Sequence, residues 1–93
     1  MKESEKLIER KLVEAVKARK GLCIKLLCDQ FMGLPDRMCL LPNGKIFFVE
    51  VKTTGQKPRK IQEYVHKQLR ALGFKVEVLD NSENIKQLLN EFI

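Results

Sequence analysis

Tryptophan is absent from this 93-residue chain, tyrosine occurs once, as Tyr64, and histidine once, as His66. With no tryptophan and one tyrosine, an aromatic platform on which the bases of a single nucleic-acid strand could stack is poorly supported. Cysteine is scarce and odd in number: Cys23, Cys28 and Cys39. An odd count argues against a disulfide framework and for a reducing compartment. All three fall in or next to apolar, strand-like runs, so they read as small buried hydrophobes rather than, with His66, as a zinc site. No apolar run approaches the ~20 residues of a membrane span. The opening stretch Met1–Lys11 alternates acid and base without the apolar core of a secretory signal, so a cytoplasmic location is expected. Repeats, low-complexity tracts and linkers are missing too.

What is present is an ordinary globular balance, 44% apolar and 32% charged. A chain of this length buries only roughly 60–65% of its unfolded surface. One domain spanning 1–93 is expected. Lys and Arg number 18 against 12 Asp and Glu, a net charge of +6 that suggests an anionic partner such as nucleic acid. The excess is local. Residues 53–75 hold six bases (Lys57, Arg59, Lys60, Lys67, Arg70, Lys75) and one acid, Glu63, whereas 76–93 hold one base and four acids.

Periodicity gives the order α-β-β-β-α-β-α. Ile8, Leu12, Ala15, Val16 and Arg19 recur at helical spacing over 3–20, and Gly21 is placed to stop that helix. Leu22–Cys28 reads as a strand and Asp29–Pro35 as a loop. Arg37–Leu41 and Lys45–Val49 flank Pro42-Asn43-Gly44, the signature of a three-residue hairpin turn, and the second strand continues to Lys52. A helix over 59–72 is predicted to bury Ile61, Val65, Leu69 and Leu72, with Gly73 as its stop. A strand over 74–79 follows, with Phe74, Val76 and Val78 on one face. Ser82 is placed to cap a last helix that turns Ile85, Leu88, Leu89 and Phe92 inward. A small mixed sheet covered by helices results, the strand–helix–strand unit making its two strands parallel.

The hairpin register is informative. If Leu41 pairs with Lys45, counting outward sets Asp36 opposite Glu50. Directly opposed side chains lie roughly 4.5–5.5 Å apart at Cβ, and like charges there are destabilising. At ~4 Å and an effective dielectric near 20, two carboxylates repel by about 4 kcal/mol. A divalent cation relieves that repulsion, and two carboxylates, a backbone carbonyl and retained waters are how proteins hold Mg²⁺. Period-two alternation puts Ile46, Phe48, Glu50 and Lys52 on one face, and the Val51 carbonyl between the two charges is a natural further ligand. A lysine there can act on a nucleophilic water or on charge developing at a phosphate.

These residues resemble a known family. Gly33-Leu34-Pro35-Asp36 and Glu50-Val51-Lys52 are similar to the PD-(D/E)XK nuclease signature. Lys57-Pro58-Arg59-Lys60-Ile61-Gln62, Leu69-Arg70-Ala71-Leu72-Gly73-Phe74 and Val76-Glu77-Val78 resemble its VRR-NUC (virus-type replication-repair nuclease) branch, so the likeness runs nearly the length of the chain. It implies a restriction-endonuclease-like αβββαβ core with an extra C-terminal helix. It implies a Mg²⁺- or Mn²⁺-dependent DNA endonuclease with Asp36, Glu50 and the Val51 carbonyl as metal ligands and Lys52 as catalytic lysine. Gln62 would be the helix glutamine near substrate or water. A glutamate of the first helix completes the family's ligands; Glu9 and Glu5 share a face one turn apart, and Glu9 is favoured as nearer the sheet.

His66, one turn beyond Gln62, is expected to be a partly exposed helix histidine. Lys57, Arg59, Lys60, Lys67 and Arg70 are candidate phosphate contacts. One domain supplies one active site, so symmetric cutting of a branched DNA such as a Holliday junction calls for a C2 homodimer. The alternatives are a non-catalytic nucleic-acid-binding module of the same fold, and a protein-interaction domain whose acids form a salt-bridge network.

Overall fold

The computed structural model describes residues 2–92. Helix α1 (Glu5–Ala18) starts at Ser4, whose hydroxyl accepts the Leu7 N–H at 3.2 Å. Strands β1 (Leu22–Lys25), β2 (Arg37–Leu41) and β3 (Lys45–Val51) follow, then helix α2 (Lys60–Ala71), strand β4 (Lys75–Leu79) and helix α3 (Asn84–Asn90). The strands form one sheet in the order β1-β2-β3-β4, antiparallel except for the parallel β3–β4 pair joined through α2. A two-residue turn cannot join parallel strands, so the crossover helix is obligatory.

Alternation splits the sheet into two faces with different fates. Cys39, Leu41, Phe47, Val49, Val51 and Leu79 point to one face, where α1 lays down Ile8, Leu12 and Val16 and α3 adds Ile85, Leu88 and Leu89. Phe47 stacks on Phe92 at 4.7 Å between ring centres. Each fully buried side chain of this size contributes about 1.5–3 kcal/mol, so this layer is the core. The opposite face carries Phe48, Glu50 and Val76, with α2 beside β4.

Several local expectations change. Gly21 does not stop α1 by its own conformation: Lys20 takes the left-handed turn, φ 67°. The glycine is required because a Cβ there would stand 2.4 Å from the Leu40 carbonyl oxygen. β1 is shorter than read, ending at Lys25. Cys39 is buried but Cys23 only half so, and Cys28 is exposed. Ser82 does not cap α3. Its hydroxyl donates to Glu3 at 2.6 Å, and the Asn81 side chain accepts the Asn84 N–H at 3.1 Å instead.

The largest correction concerns α2. Its buried residues are Gln62, Val65 and His66, while Ile61 is exposed and Leu72 is 74% exposed. The helix is rolled from the all-apolar stripe so that two polar side chains face the sheet. Val76 and Leu79 are the buried members of β4, and Phe74 meets the Phe48 ring edge-on at 5.6 Å.

Candidate active site

The hairpin has the register that the turn demands: Leu41 pairs with Lys45, then Leu40 with Ile46, out to Arg37 with Val49. Just beyond that last pair, the Asp36 carboxylate stands beside Glu50. Asp36 accepts the Val51 backbone N–H at 2.8 Å through Oδ2, and its own carbonyl accepts the Leu26 N–H at 2.9 Å. The residue is thus tied to β3 and to the chain leaving β1. Gly33 allows this approach. It has φ 90°, and a Cβ there would lie 2.7 Å from the Ile61 carbonyl oxygen of α2. Only glycine lets the loop pass so close to the helix.

Glu50 is 1% exposed, and α2 supplies its surroundings. Gln62 Nε2 donates to Glu50 Oε2 at 3.0 Å, while Gln62 Oε1 accepts the Arg59 N–H at 2.8 Å, which fixes the amide orientation. Lys52 Nζ stands 3.5 Å from the same Oε2. Glu50 Oε1 faces His66 Nε2 at 3.6 Å, and neither atom has a hydrogen-bond partner. Burial first, then the Asp36 carboxylate beside it, push the Glu50 carboxyl up to about 7, against the pull of Lys52. Burial, then the Arg70 charge, push the His66 imidazole below its ordinary value.

His66 is therefore not the half-exposed helix histidine expected from the sequence; it is 2% exposed. The available signal was its spacing: four residues after Gln62, it shares that residue's face.

Glu9 is placed elsewhere. Its Oε2 accepts from Arg37 Nε at 2.8 Å and pairs with Lys25 Nζ at 3.6 Å. Arg37 and Lys25 are cross-strand partners on the face that α1 covers, and Arg37 pairs with core-facing Val49, so they turn away from Asp36 and Glu50. Glu5 is exposed. Among the described residues no three of His, Cys, Asp and Glu gather as a metal-holding group. The acids that meet are the two from the hairpin.

The basic residues singled out in sequence, Lys57, Arg59, Lys60, Lys67 and Arg70, are all exposed. They lie on or just before α2. Arg70 also donates to the Val76 carbonyl at 2.8 Å, which ties the helix to β4. No described helix is long and apolar enough to cross a membrane.

No family model matches the chain. It is 45% identical over 76 residues to a protein of Acyrthosiphon pisum secondary endosymbiont phage 1 named "Putative nuclease p44", a match covering 82% of each chain. A solved structure titled "VRR_NUC domain" superimposes with a TM-score of 0.89 at 29% identity, covering 98% of this chain and 100% of that one. With the restriction-endonuclease-like fold and the paired hairpin acids, these likenesses show that the chain is a nuclease of the VRR-NUC family.

Proposed function

We propose that residues 1–93 act as a single domain that hydrolyses phosphodiester bonds in DNA with Mg²⁺ or Mn²⁺, and that branched DNA such as a Holliday junction is the substrate. The observation that carries this is Glu50: a carboxylate closed off from solvent, beside a second carboxylate, with one oxygen unpartnered. Isolated buried charge is unfavourable by several kcal/mol. Hard oxygen donors with spare lone pairs suit a hard divalent cation, so the residues fit the metal. Asp36, Glu50 and the Val51 carbonyl would hold it, and when bound it supplies Lewis acidity toward water and phosphate.

The chain's own groups do the rest. Lys52, at the end of the same strand, places an ammonium where charge grows on the phosphate. Gln62 holds Glu50 in one orientation. Glu9 serves by anchoring Arg37, the residue after Asp36, rather than as a direct ligand. Lys57, Arg59, Lys60, Lys67 and Arg70 would take the DNA backbone, giving binding that weakens steeply with salt.

Assembly follows from the sheet face away from α1. Leu22, Leu40 and Ile46 form one cross-strand row there, and Ile24, Met38 and Phe48 the next. Leu22 is 62% exposed and Ile24 and Ile46 38% each, and the loop after β1 adds exposed Leu27, Phe31 and Met32. A stable interface buries about 800 Å² per partner, and the continuity of this apolar surface across three strands and a loop supports such a contact. A second copy of the chain, related by C2 symmetry, is the occupant we assign, which supplies the two sites that a junction needs.

The test is cleavage of a four-way junction beside a plain duplex of the same sequence, with Mg²⁺ and with chelator. Metal-dependent nicking that favours the junction is expected. Salt-sensitive binding without cleavage would instead favour the non-catalytic module. A sedimentation mass of one chain at micromolar concentration would remove the dimer.

A further inference from the structure

Gln62 and His66 stand one turn apart on α2, and both are buried against the same carboxylate. Gln62 donates to Glu50 Oε2. The other oxygen, Oε1, and His66 Nε2 are the buried side-chain polar atoms left without partners among the described residues, and they face each other at 3.6 Å. Leaving a buried polar group unpaired is unfavourable, so two orphans in contact point to a partnership. The separation is beyond hydrogen-bond range, but a side-chain movement of about half an ångström would close it to that range.

We infer that His66 is a positioning residue for Glu50. Its Nε2–H donates to Oε1 while Gln62 holds Oε2, so α2 grips the carboxylate by both oxygens and fixes its plane. Each oxygen of an ionised carboxylate keeps a further lone pair, and those are the ones left for a cation. Outer partners of this kind set ligand orientation, and their loss lowers metal affinity or activity by about 10–100-fold. The inference rests on the metal-dependent reading proposed above and extends it to a residue outside the nuclease signature.

The test uses the full chain as wild type, His66→Leu and His66→Gln. In His66→Gln the side-chain amide nitrogen takes the place of Nε2; leucine fills the space without a donor. Mn²⁺ affinity is measured by calorimetry, and the His66 tautomer of the metal-free wild type by nitrogen NMR. The Nε2–H tautomer is expected. His66→Leu should bind Mn²⁺ about 10–100-fold more weakly and lose kcat with little change in KM for DNA, and His66→Gln should regain most of both. Equal Mn²⁺ affinity in wild type and His66→Leu overturns the inference, as does a bare Nε2 in the metal-free chain. Wild type that binds no Mn²⁺ overturns the metal reading instead, and the tautomer then decides whether His66 grips Glu50.

Discussion

Asp36 Oδ2 accepts the backbone N–H of Val51 at 2.8 Å, so the strand that carries Glu50 also sets the direction of the acid opposite. Val51 lies one position past Glu50, and its side chain is buried in the core. The two carboxylates are therefore held by the same two-strand ladder that holds the fold together.

Glu50→Gln should separate function from stability. The amide keeps the shape and can still meet Gln62, but it removes the buried charge. DNA cleavage should fall at least about 10³-fold, comparable with losing a key electrostatic group. The melting temperature in chelator at about pH 8 should rise by roughly 10 °C or more, since each 1 kcal/mol shifts a domain of this size by about 4–8 °C. A variant that melts below wild type would contradict the strain assigned to Glu50.

The same strain gives a pH signature. A glutamate ionises near 4.5 when unfolded and at about 7 in this fold. Below 4.5 both states hold the proton and the contribution is fully present. As pH climbs through about 7 the unfolded state releases its proton first, so stability falls, by roughly 3 kcal/mol in all. His66, with its pKa lowered, works the other way: its contribution is present above 6.5 and is lost as pH drops. Urea midpoints of wild type minus Glu50→Gln, followed from about pH 4 to about pH 8, isolate the Glu50 effect. Saturating Mn²⁺ should flatten the difference.

Lys52 sits 3.5 Å from Glu50 Oε2 and is mostly shielded from solvent. Lys52→Ala should lower kcat on the order of 10²–10³-fold while leaving Mn²⁺ binding measurable by calorimetry. Loss of binding together with turnover would make Lys52 a structural partner of the acid, not a catalytic residue.

Two glycines should respond oppositely in size to the same substitution. Gly21→Ala drives a Cβ to 2.4 Å from the Leu40 carbonyl oxygen, so helix or sheet must move, and a loss of about 2 kcal/mol or more is expected. Gly44→Ala meets no atom within 4 Å and carries only the cost of a left-handed φ of 73°, about 1–2 kcal/mol. Chemical denaturation of the two variants reads the difference directly.

Much of this was legible beforehand because turn chemistry and strand periodicity are local. Pro42-Asn43-Gly44 sets a three-residue connection, that connection sets Leu41 against Lys45, and the register runs out to Arg37 against Val49, which leaves Asp36 and Glu50 as the next residues on the two chains. Helix α2 shows where local reading fails. Its apolar residues suggest a stripe through Ile61 and Leu72, yet the helix is rolled to bury Gln62 and His66. A hydrophobic pattern cannot anticipate polar side chains drawn inward by a buried carboxylate, because the carboxylate comes from a strand at another place in the chain.

Sequence alone thus determined the element order, the hairpin register and the meeting of two acids, all consequences of neighbours a few residues apart. Tertiary structure alone decided that Glu9 would be held by Arg37 and Lys25 on the α1 side of the sheet, that Gly21 would answer the carbonyl of Leu40 on a neighbouring strand, and that His66 would face Glu50. Those outcomes depend on which face each helix packs against. That choice is made by the fit of whole surfaces, and no short stretch of residues encodes it.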